Sequence, residues 1–399
     1  MRVKVKRTLK LFLAVIMLTS TMAVAQTTEE VVDMIVKEAN ENSHLEKLAH
    51  ELLDVIGPRL VGTPQQLKAH NWAVDTFKEW GIEAEKQQFG EWRGWERGIT
   101  HIDLTHPRTV TMEGMILAWS PGTKKNGVEA ETVIIPEVEN KEEFEAWLKN
   151  AKGKYVLVSM HQPTGRPDYN WEEFATEESF EKMKAERSAQ AQAWRERINN
   201  TGYNSRTIIA ALEEAGAVGI IQSRWSSGFG VNKIFSSSTQ KIPTVDLSLE
   251  DYGLLYRLTE YGDKPKIHVN ATSKELGKVE TFNTIATIPG TEKPDEYIVL
   301  SAHFDSWDGG TGATDNGTGS ITMMEAARIL KKVYHNPKRT IIVGLWGSEE
   351  QGLNGSRAFV EDNPEVVENL QALFNQDNGT GRVVRLSGQG FLHSYEFLG

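Results

Sequence analysis

The chain has 399 residues and no cysteine, so disulfide bonds cannot stabilise its fold. Basic residues are also comparatively few: 44 of them stand against 55 acidic residues, which gives a formal net charge of -11. A chain this acidic repels phosphate backbones, and we therefore expect no nucleic acid among its partners. Beyond the N-terminal segment, no stretch of the sequence is long and apolar enough to span a bilayer. These absences predict a soluble protein that is stabilised by core packing and, where ligands converge, by metal.

The first 25 residues have the pattern of a secretory signal peptide. Basic residues between Arg2 and Lys10 precede an apolar run at 11–18, and Ala23 and Ala25 provide the small residues of a cleavage site. The run is short for a membrane span, so we expect cleavage and no stable membrane association afterwards. Losing five positive charges would take the net charge from -11 to -16. Export without cysteine favours a periplasmic or secreted location.

Three blocks that differ in composition and in hydrophobic pattern follow this segment. They are residues 26–119, 120–272 and 273–399. The first block has apolar residues at helical spacing over 28–54 and 64–80, followed by extended segments up to 120. The second alternates short β-rich runs with glycine and proline, and contains one long polar helix over 171–199. It holds no dense set of metal-ligand side chains, so we predict a separate domain without chemistry of its own.

The third block alternates strands and helices. Residues 296–301, 339–346 and 370–374 are nearly continuous apolar runs, and 318–334 has helical periodicity. Such runs are typical of buried strands in a mostly parallel mixed sheet flanked by helices, which is the α/β fold class that we predict. Each run is followed by acidic residues. The carboxyl ends of the strands are where open α/β sheets bind their ligands, so these acidic residues are expected to converge.

The most informative of these acidic segments begins at His303. Asp305 lies two residues further along an extended segment, so the two side chains point to the same side. Asp305 would then accept the second ring N–H of His303, as partners of metal-bound histidines do. Imidazole and carboxylate are ligands suited to zinc or a similar divalent ion, and only a cation stabilises several carboxylates converging in a partly buried site.

Two further acidic segments extend the pattern. Asp315 lies in a glycine-bounded loop that leads into a helix, where it could be a ligand or simply an N-terminal cap. Glu349 and Glu350 are adjacent, so their side chains diverge, which suits one as ligand and the other as general base. A surface pair of glutamates is common by itself. The conjunction of the segments is what predicts a metalloenzyme.

Together these motifs resemble the M28-type co-catalytic zinc exopeptidases, and within them the carboxypeptidase Q-like members. The motifs are His-x-Asp-Ser-Trp-Asp from His303, Gly-Ala-x-Asp-Asn-Gly from Gly312, and Trp-x-x-Glu-Glu-Gln-Gly from Trp346. The similarity extends over most of the mature chain. The middle block looks like the protease-associated domain that many such enzymes carry as an insertion. The resemblance therefore implies the zinc exopeptidase fold with an inserted β-rich protease-associated domain, residues 120–272.

The resemblance also implies two zinc ions and their ligands. His303 and Asp377 would bind one zinc, and Asp315 would bridge the two ions. Glu350 would bind the second. Family members need one more histidine on that second ion, and His393 is the only candidate after Asp377, in a part of the pattern that does not match. We therefore expect an incomplete second site and a chain truncated at its C-terminus.

The implied reaction is hydrolysis of short peptides. Glu349 would activate a metal-bridging water as general base, and Asp305 would orient His303. The enzyme would be a carboxypeptidase Q-like dipeptidase or an aminopeptidase with a peptide substrate, and a homodimer stays open. Two alternatives are a glutaminyl cyclase-like zinc acyltransferase and a catalytically inactive binding protein of the same fold. The inserted domain and the intact acidic set argue against both.

Overall fold

The computed structural model describes residues 27–228, 230–231, 234–377, 379–389 and 393. The expected signal peptide, residues 1–25, lies outside the described residues. No helix within the described ranges combines the length and the apolar character that crossing a membrane requires.

Eleven helices and eleven strands make up the regular structure of the described residues. The helices are α1 Thr28–Glu41, α2 Leu45–Ala49, α3 Pro64–Glu79, α4 Lys141–Trp147, α5 Asp168–Phe174, α6 Glu177–Asn200, α7 Ser205–Glu214, α8 Leu249–Glu260, α9 Thr318–Val333, α10 Asn354–Asp362 and α11 Pro364–Glu368. The strands are β1 Glu83–His106, β2 Val110–Met112, β3 Gly114–Ile116, β4 Val128–Ile134, β5 Tyr155–Leu157, β6 Gly219–Gln222, β7 Thr244–Leu247, β8 Lys266–Ile288, β9 Lys293–His303, β10 Arg339–Trp346 and β11 Leu370–Asn375. Wider π-helical turns cover His50–Ile56 and Ala313–Gly317, and a tight 3₁₀ turn covers Leu148–Ala151.

The strands form one mixed sheet with helices against it, as the sequence predicts. Its order is β11-β9-β10-β8-β4-β5-β6-β7-β3. In the C-terminal part, β9 lies between β10 and β11 and is parallel to both, whereas β8 is antiparallel to β10. In the middle block, β4, β5, β6 and β7 are parallel neighbours. The two parallel regions therefore share a single sheet through β8.

The join between the two regions is a long antiparallel ribbon that the sequence does not reveal. The extended segments expected over 82–120 are in fact one 24-residue strand, β1, followed by two short strands. β1 pairs with β8 almost along its whole length, with register shifts that let the ribbon bend. Trp95 is fully buried at this join. Only the tertiary partner makes so long a strand stable.

Two expected helices are interrupted by residues that cap. The helix expected over 28–54 breaks after Glu41, because the side chain of Asn42 donates to Glu38 and the chain turns before α2. The helix expected over 171–199 is divided into α5 and α6, because Thr176 caps α6 by accepting the backbone N–H of Ser179. Short polar side chains favour such breaks.

Separate cores lie on the two sides of the ribbon. One lies between the C-terminal sheet and the helices α3 and α9, with Phe77, Phe304 and Met324 in it. Another lies within the middle block, between β5, β6 and the helices α4 and α7, with Phe144 and Leu212. A further core joins residues of this block, such as Tyr155 and Val245, to Leu60 and Trp95 of the first block. The predicted domain at 120–272 and its boundaries therefore stay predictions.

A buried ion-pair network attaches α1 to α9. Glu38 accepts from Arg328 at 2.7 Å and from Lys332 at 2.9 Å. Arg328 also donates twice to Glu325, and all three of Glu38, Glu325 and Arg328 are nearly inaccessible to solvent. The bonds from Lys332 and Arg328 lower the pKa of Glu38 from its ordinary 4.5 to about 2. The Glu38 carboxylate is therefore ionised at neutral and mildly acidic pH.

We expect Glu38→Gln to lower the free energy of unfolding at pH 7 by about 1.5–3 kcal/mol, the usual contribution of a hydrogen bond to a charged group. Because folding lowers the pKa of Glu38, its contribution is complete above the unfolded value of 4.5 and is lost as the pH falls towards about 2. The variant and the wild type should therefore converge over that interval. Urea unfolding at several pH values measures this, with Glu41→Gln on the exposed face of α1 as control. A difference that does not change with pH would contradict the assignment.

Candidate metal centre

The site forms where three neighbouring parallel strands end. His303 is the last residue of β9, Glu349 follows β10 by three residues, and Asp377 follows β11 by two. Asp315 comes from the turn Ala313–Gly317, which precedes α9. The carboxyl ends of parallel strands meet at one edge of the sheet, so residues far apart in sequence converge there. The strand pattern and the acidic segments that follow it are sufficient to predict this convergence.

His303, Asp315 and Asp377 are arranged as a ligand set. The His303 Nε2 atom lies 3.1 Å from Asp315 Oδ1 and 3.1 Å from Asp377 Oδ1. All three ligand atoms lie within 4.8 Å of one another, and among the described residues this is the one such group. Ligand atoms about 2.0–2.1 Å from a tetrahedral zinc ion would be about 3.3 Å apart. The spacing and the donor types therefore fit zinc.

The charge around His303 is strongly negative. Burial alone would lower the pKa of this 3% exposed histidine, but Asp305, Asp377 and Glu349 outweigh burial and raise the pKa to about 9. Without a metal, the protonated His303 ring therefore supplies the positive charge that stabilises these carboxylates, as a metal cation would. Metal ligation requires the neutral imidazole, so a metal must displace this proton.

Glu349 lies beside the ligand set. Its Oε2 atom is 4.0 Å from the His303 Nε2 atom. Partial burial raises the pKa of Glu349, and the nearby carboxylates add to that effect against the opposing influence of His303. A carboxyl with a raised pKa is suited to accept and return a proton near neutral pH. The role of Glu349 as general base stays a prediction.

Glu350 is held close to this group through its backbone, whose N–H donates to Asp305 Oδ2 at 3.2 Å. Its carboxylate is not a member of the three-residue ligand group found in the described residues. His393 is exposed and does not belong to this group of the described residues either. A second metal and its ligands therefore stay predictions.

Asp305 has a different set of contacts from the one expected. The ring Nδ1 of His303 is 3.1 Å from the backbone carbonyl of Asp305 and 3.7 Å from its carboxylate. The carboxylate instead accepts the backbone N–H groups of Glu349, at 2.9 Å, and Glu350, at 3.2 Å. A fully buried carboxylate needs such donors. Asp305 therefore orients the histidine chiefly through its main chain and the glutamate turn through its side chain.

Asp308 belongs to the same acidic stretch but has another partner. Its Oδ2 atom accepts from Arg97 at 2.8 Å, while its Oδ1 atom accepts the backbone N–H of Gly309. It is not part of the ligand group of the described residues. Asp308 thus attaches the loop after His303 to the β1–β8 ribbon.

Three supporting side chains could not be identified from sequence. The hydroxyl of Ser320 donates to the backbone carbonyl of His303 at 2.8 Å. The amide of Asn316 donates to the carbonyl of Gln376, next to Asp377, at 2.8 Å. Arg59 follows a Gly-Pro pair that indicates only a helix end, yet it contacts the loop after His303. Spacing does not predict such contacts, since each joins segments that are distant in sequence.

The fold is shared with solved structures of zinc peptidases. The structure is similar to a Peptidase M28 precursor from Shewanella amazonensis, with a TM-score of 0.62 and 23% identity, covering 92% of this chain and 78% of that one. It is also similar to BSAP, a zinc aminopeptidase from Bacillus subtilis, with a TM-score of 0.51 and 19% identity, covering 84% of this chain and 68% of that one.

The sequence comparison is more specific. Residues 283–390 match Peptidase family M28. Carboxypeptidase Q of Mus musculus is 27% identical over 356 residues, which cover 88% of this chain and 68% of that protein. The rat protein is equally similar, at 27% over 354 residues. The chain therefore carries an M28 peptidase domain and is a homologue of carboxypeptidase Q.

Proposed function

We propose that this protein is an exported zinc exopeptidase that hydrolyses short peptides, with Glu349 as its general base. The observation that carries the proposal is the position of Glu349, whose Oε2 atom lies 4.0 Å from the His303 Nε2 atom that also contacts Asp315 and Asp377. A base placed beside a ligand set, rather than within it, is what hydrolysis of a peptide bond requires.

In this proposal, His303, Asp315 and Asp377 hold one zinc ion. Asp315 and Glu350 would contribute ligands to a second ion. Bound zinc would polarise the scissile carbonyl and make water a better nucleophile at neutral pH. Glu349 accepts the proton of the attacking water and delivers it to the leaving amine. The turn that carries Glu349 is oriented by Asp305, because its carboxylate accepts the Glu349 backbone N–H at 2.9 Å.

The remaining parts of the proposal concern location and domain role. The acidic, cysteine-free sequence and its N-terminal pattern support a periplasmic or secreted protein. The middle block, residues 120–272, encloses one of the hydrophobic cores and is proposed as a protease-associated domain. Its partner is the peptide substrate. The names of the relatives support two possible specificities, because one group is called carboxypeptidase and the other aminopeptidase. The first removes residues from the carboxyl end of a peptide and the second from the amino end.

The direct test uses a set of dipeptides with free ends, an acetylated amino end, or an amidated carboxyl end. We expect the zinc-loaded protein to hydrolyse the dipeptide with free ends. We also expect at least one of the two single blocks, acetylation or amidation, to abolish hydrolysis. An essential amino end identifies an aminopeptidase. If both ends are essential, the enzyme is a dipeptidase. Protein treated with a chelator is the control and should regain activity with zinc. Equal activity before and after chelation would contradict the zinc dependence. Equal activity on peptides blocked at both ends would contradict an exopeptidase function.

A further inference from the structure

Arg59 is a buried cation whose side-chain hydrogen bonds all go to main-chain groups, while the nearby Asp305 carboxylate interacts with it electrostatically. The residue is 0% exposed. Its guanidinium donates to four backbone carbonyls, those of Gly57, Phe304, Thr311 and Gly312, at distances between 2.8 and 3.0 Å. A buried arginine usually pairs with a carboxylate. Arg59 instead donates its side-chain hydrogen bonds to backbone carbonyls.

Three of these carbonyls, those of Phe304, Thr311 and Gly312, lie at the two ends of one loop. Phe304 directly follows the ligand His303, and its carbonyl accepts from Nε of Arg59 at 2.8 Å. Thr311 and Gly312 directly precede the turn that carries Asp315, and their carbonyls accept from the two Nη atoms. The guanidinium is planar and rigid, so its fork holds the beginning and the end of the loop at a set separation. That separation brings Asp315 back to His303.

The rest of the loop is shaped around the same residue. The Arg59 backbone N–H donates to the hydroxyl of Ser306 at 3.0 Å, and the Ser306 N–H donates back to the Arg59 carbonyl at 3.3 Å. Gly312 has a φ of +64°, and a Cβ there would lie 2.9 Å from Nη2 of Arg59 and 2.4 Å from Cβ of Ser306. Only glycine therefore lets the loop close so tightly on the guanidinium.

We propose that Arg59 is a positioning residue for the zinc centre: it binds both ends of the 304–312 loop and so sets the spacing between His303 and Asp315. The inference rests on the zinc site proposed above. Removing the guanidinium leaves three carbonyls at the ends of this segment without that donor. The attachments that remain through Asp308, to Ile234 and Arg97, lie in the middle of the segment and not at its ends. The two ligands that it connects would then lose their defined separation.

The direction of the change in zinc affinity distinguishes a positioning role of Arg59 from a purely electrostatic one. A buried positive charge repels a bound cation, so loss of charge alone would make zinc bind more tightly. Loss of positioning makes zinc bind more weakly. Arg59→Met removes both the charge and the fork, while Arg59→Lys keeps the charge and removes the fork. Positioning predicts weaker zinc binding in both variants. A purely electrostatic role predicts no change for lysine and tighter binding for methionine.

The experiment measures zinc affinity by competition with a chromophoric chelator, and thermal unfolding of the metal-free proteins in parallel. We expect both variants to bind zinc about 10–100-fold more weakly than wild type, the usual effect of changing groups that orient metal ligands. Glu38→Gln is the matched control, because it weakens a buried ionic network without touching the loop. It should lower the unfolding temperature and leave zinc affinity unchanged.

Each other outcome overturns the inference. Wild-type zinc affinity in Arg59→Lys, or an affinity loss in Glu38→Gln as large as in the Arg59 variants, would show that the loop contacts do not set the ligand geometry. Failure of both Arg59 variants to fold would assign the residue to the fold as a whole. Failure of the wild type itself to bind zinc is a different result, since it would contradict the proposed function and not the role of Arg59 alone.

Discussion

Replacing Glu349 by glutamine will lower kcat for dipeptide hydrolysis by about 10²–10⁴-fold, the range that a positioned general base contributes. Glutamine has nearly the same shape but cannot accept a proton from the attacking water. The Glu349 backbone N–H can still donate to Asp305, so the turn should keep its conformation. Because Glu349 lies 4.0 Å from His303 and outside the three-residue ligand group of the described residues, zinc content should be unchanged.

The measurement is kcat and KM with saturating zinc, together with zinc content by elemental analysis. A fall in kcat with KM nearly constant indicates loss of a step in the chemistry rather than of substrate binding. Glu361→Gln is a suitable control because it makes the same chemical change on the exposed surface of α10. Retention of wild-type kcat in Glu349→Gln would refute the base assignment. A parallel loss of zinc would instead make Glu349 a ligand.

The convergence of His303, Asp315 and Asp377 could be anticipated from sequence, because two of the three residues follow recognisable strands. His303 and Asp377 come after apolar runs that read as buried parallel strands, and such strands end at the same edge of the sheet. Asp315 is the weaker case, since an acidic residue before a helix is equally typical of a cap. Its glycine-bounded loop and the resemblance to M28 peptidases made the ligand interpretation stronger. Local pattern and topology predicted that these residues converge, whereas their individual ligand roles came from the resemblance.

The supporting contacts could not be predicted, because they depend on which segments meet. Arg59 is separated from Phe304 by 245 positions, and nothing near it in sequence indicates a buried guanidinium. Likewise, the His303–Asp305 spacing correctly places the two residues together but does not say that the carboxylate accepts from the Glu349 turn. Spacing describes the directions of side chains within one element. Hydrogen bonds between elements require the register and the loop conformations of the folded chain.

The length of β1 is a similar case within the fold. Alternation indicated extended structure over this region, yet not that one strand would continue from Glu83 to His106. The partner β8 supplies hydrogen bonds along almost the whole length, and Trp95 is buried where the two parts of the sheet meet. Strand propensity is context-dependent, since it reflects packing against neighbours. The ribbon therefore emerges only with the tertiary structure.

Replacing Asp315 by asparagine will weaken zinc binding at least about 100-fold, because even changes to groups behind the ligands cost 10–100-fold. Asparagine preserves the size of the side chain but removes the negative charge that lies 3.1 Å from His303 Nε2. A neutral amide oxygen is a poorer ligand for a cation than a carboxylate. Activity should be absent at zinc concentrations that saturate the wild type, and excess zinc should restore part of it, since the base Glu349 is intact.

Asp308→Asn provides the matched control for this result. It makes the same change seven residues earlier in the same acidic segment, but Asp308 pairs with Arg97 at 2.8 Å instead of joining the ligand group. Chelator competition should therefore give Asp308→Asn nearly wild-type zinc affinity even where its unfolding temperature is lower. Equal zinc affinity in Asp315→Asn and the wild type would remove Asp315 from the ligand set. Equal weakening in both variants would mean that zinc responds to the total charge of the segment, and not to the position of one carboxylate beside His303.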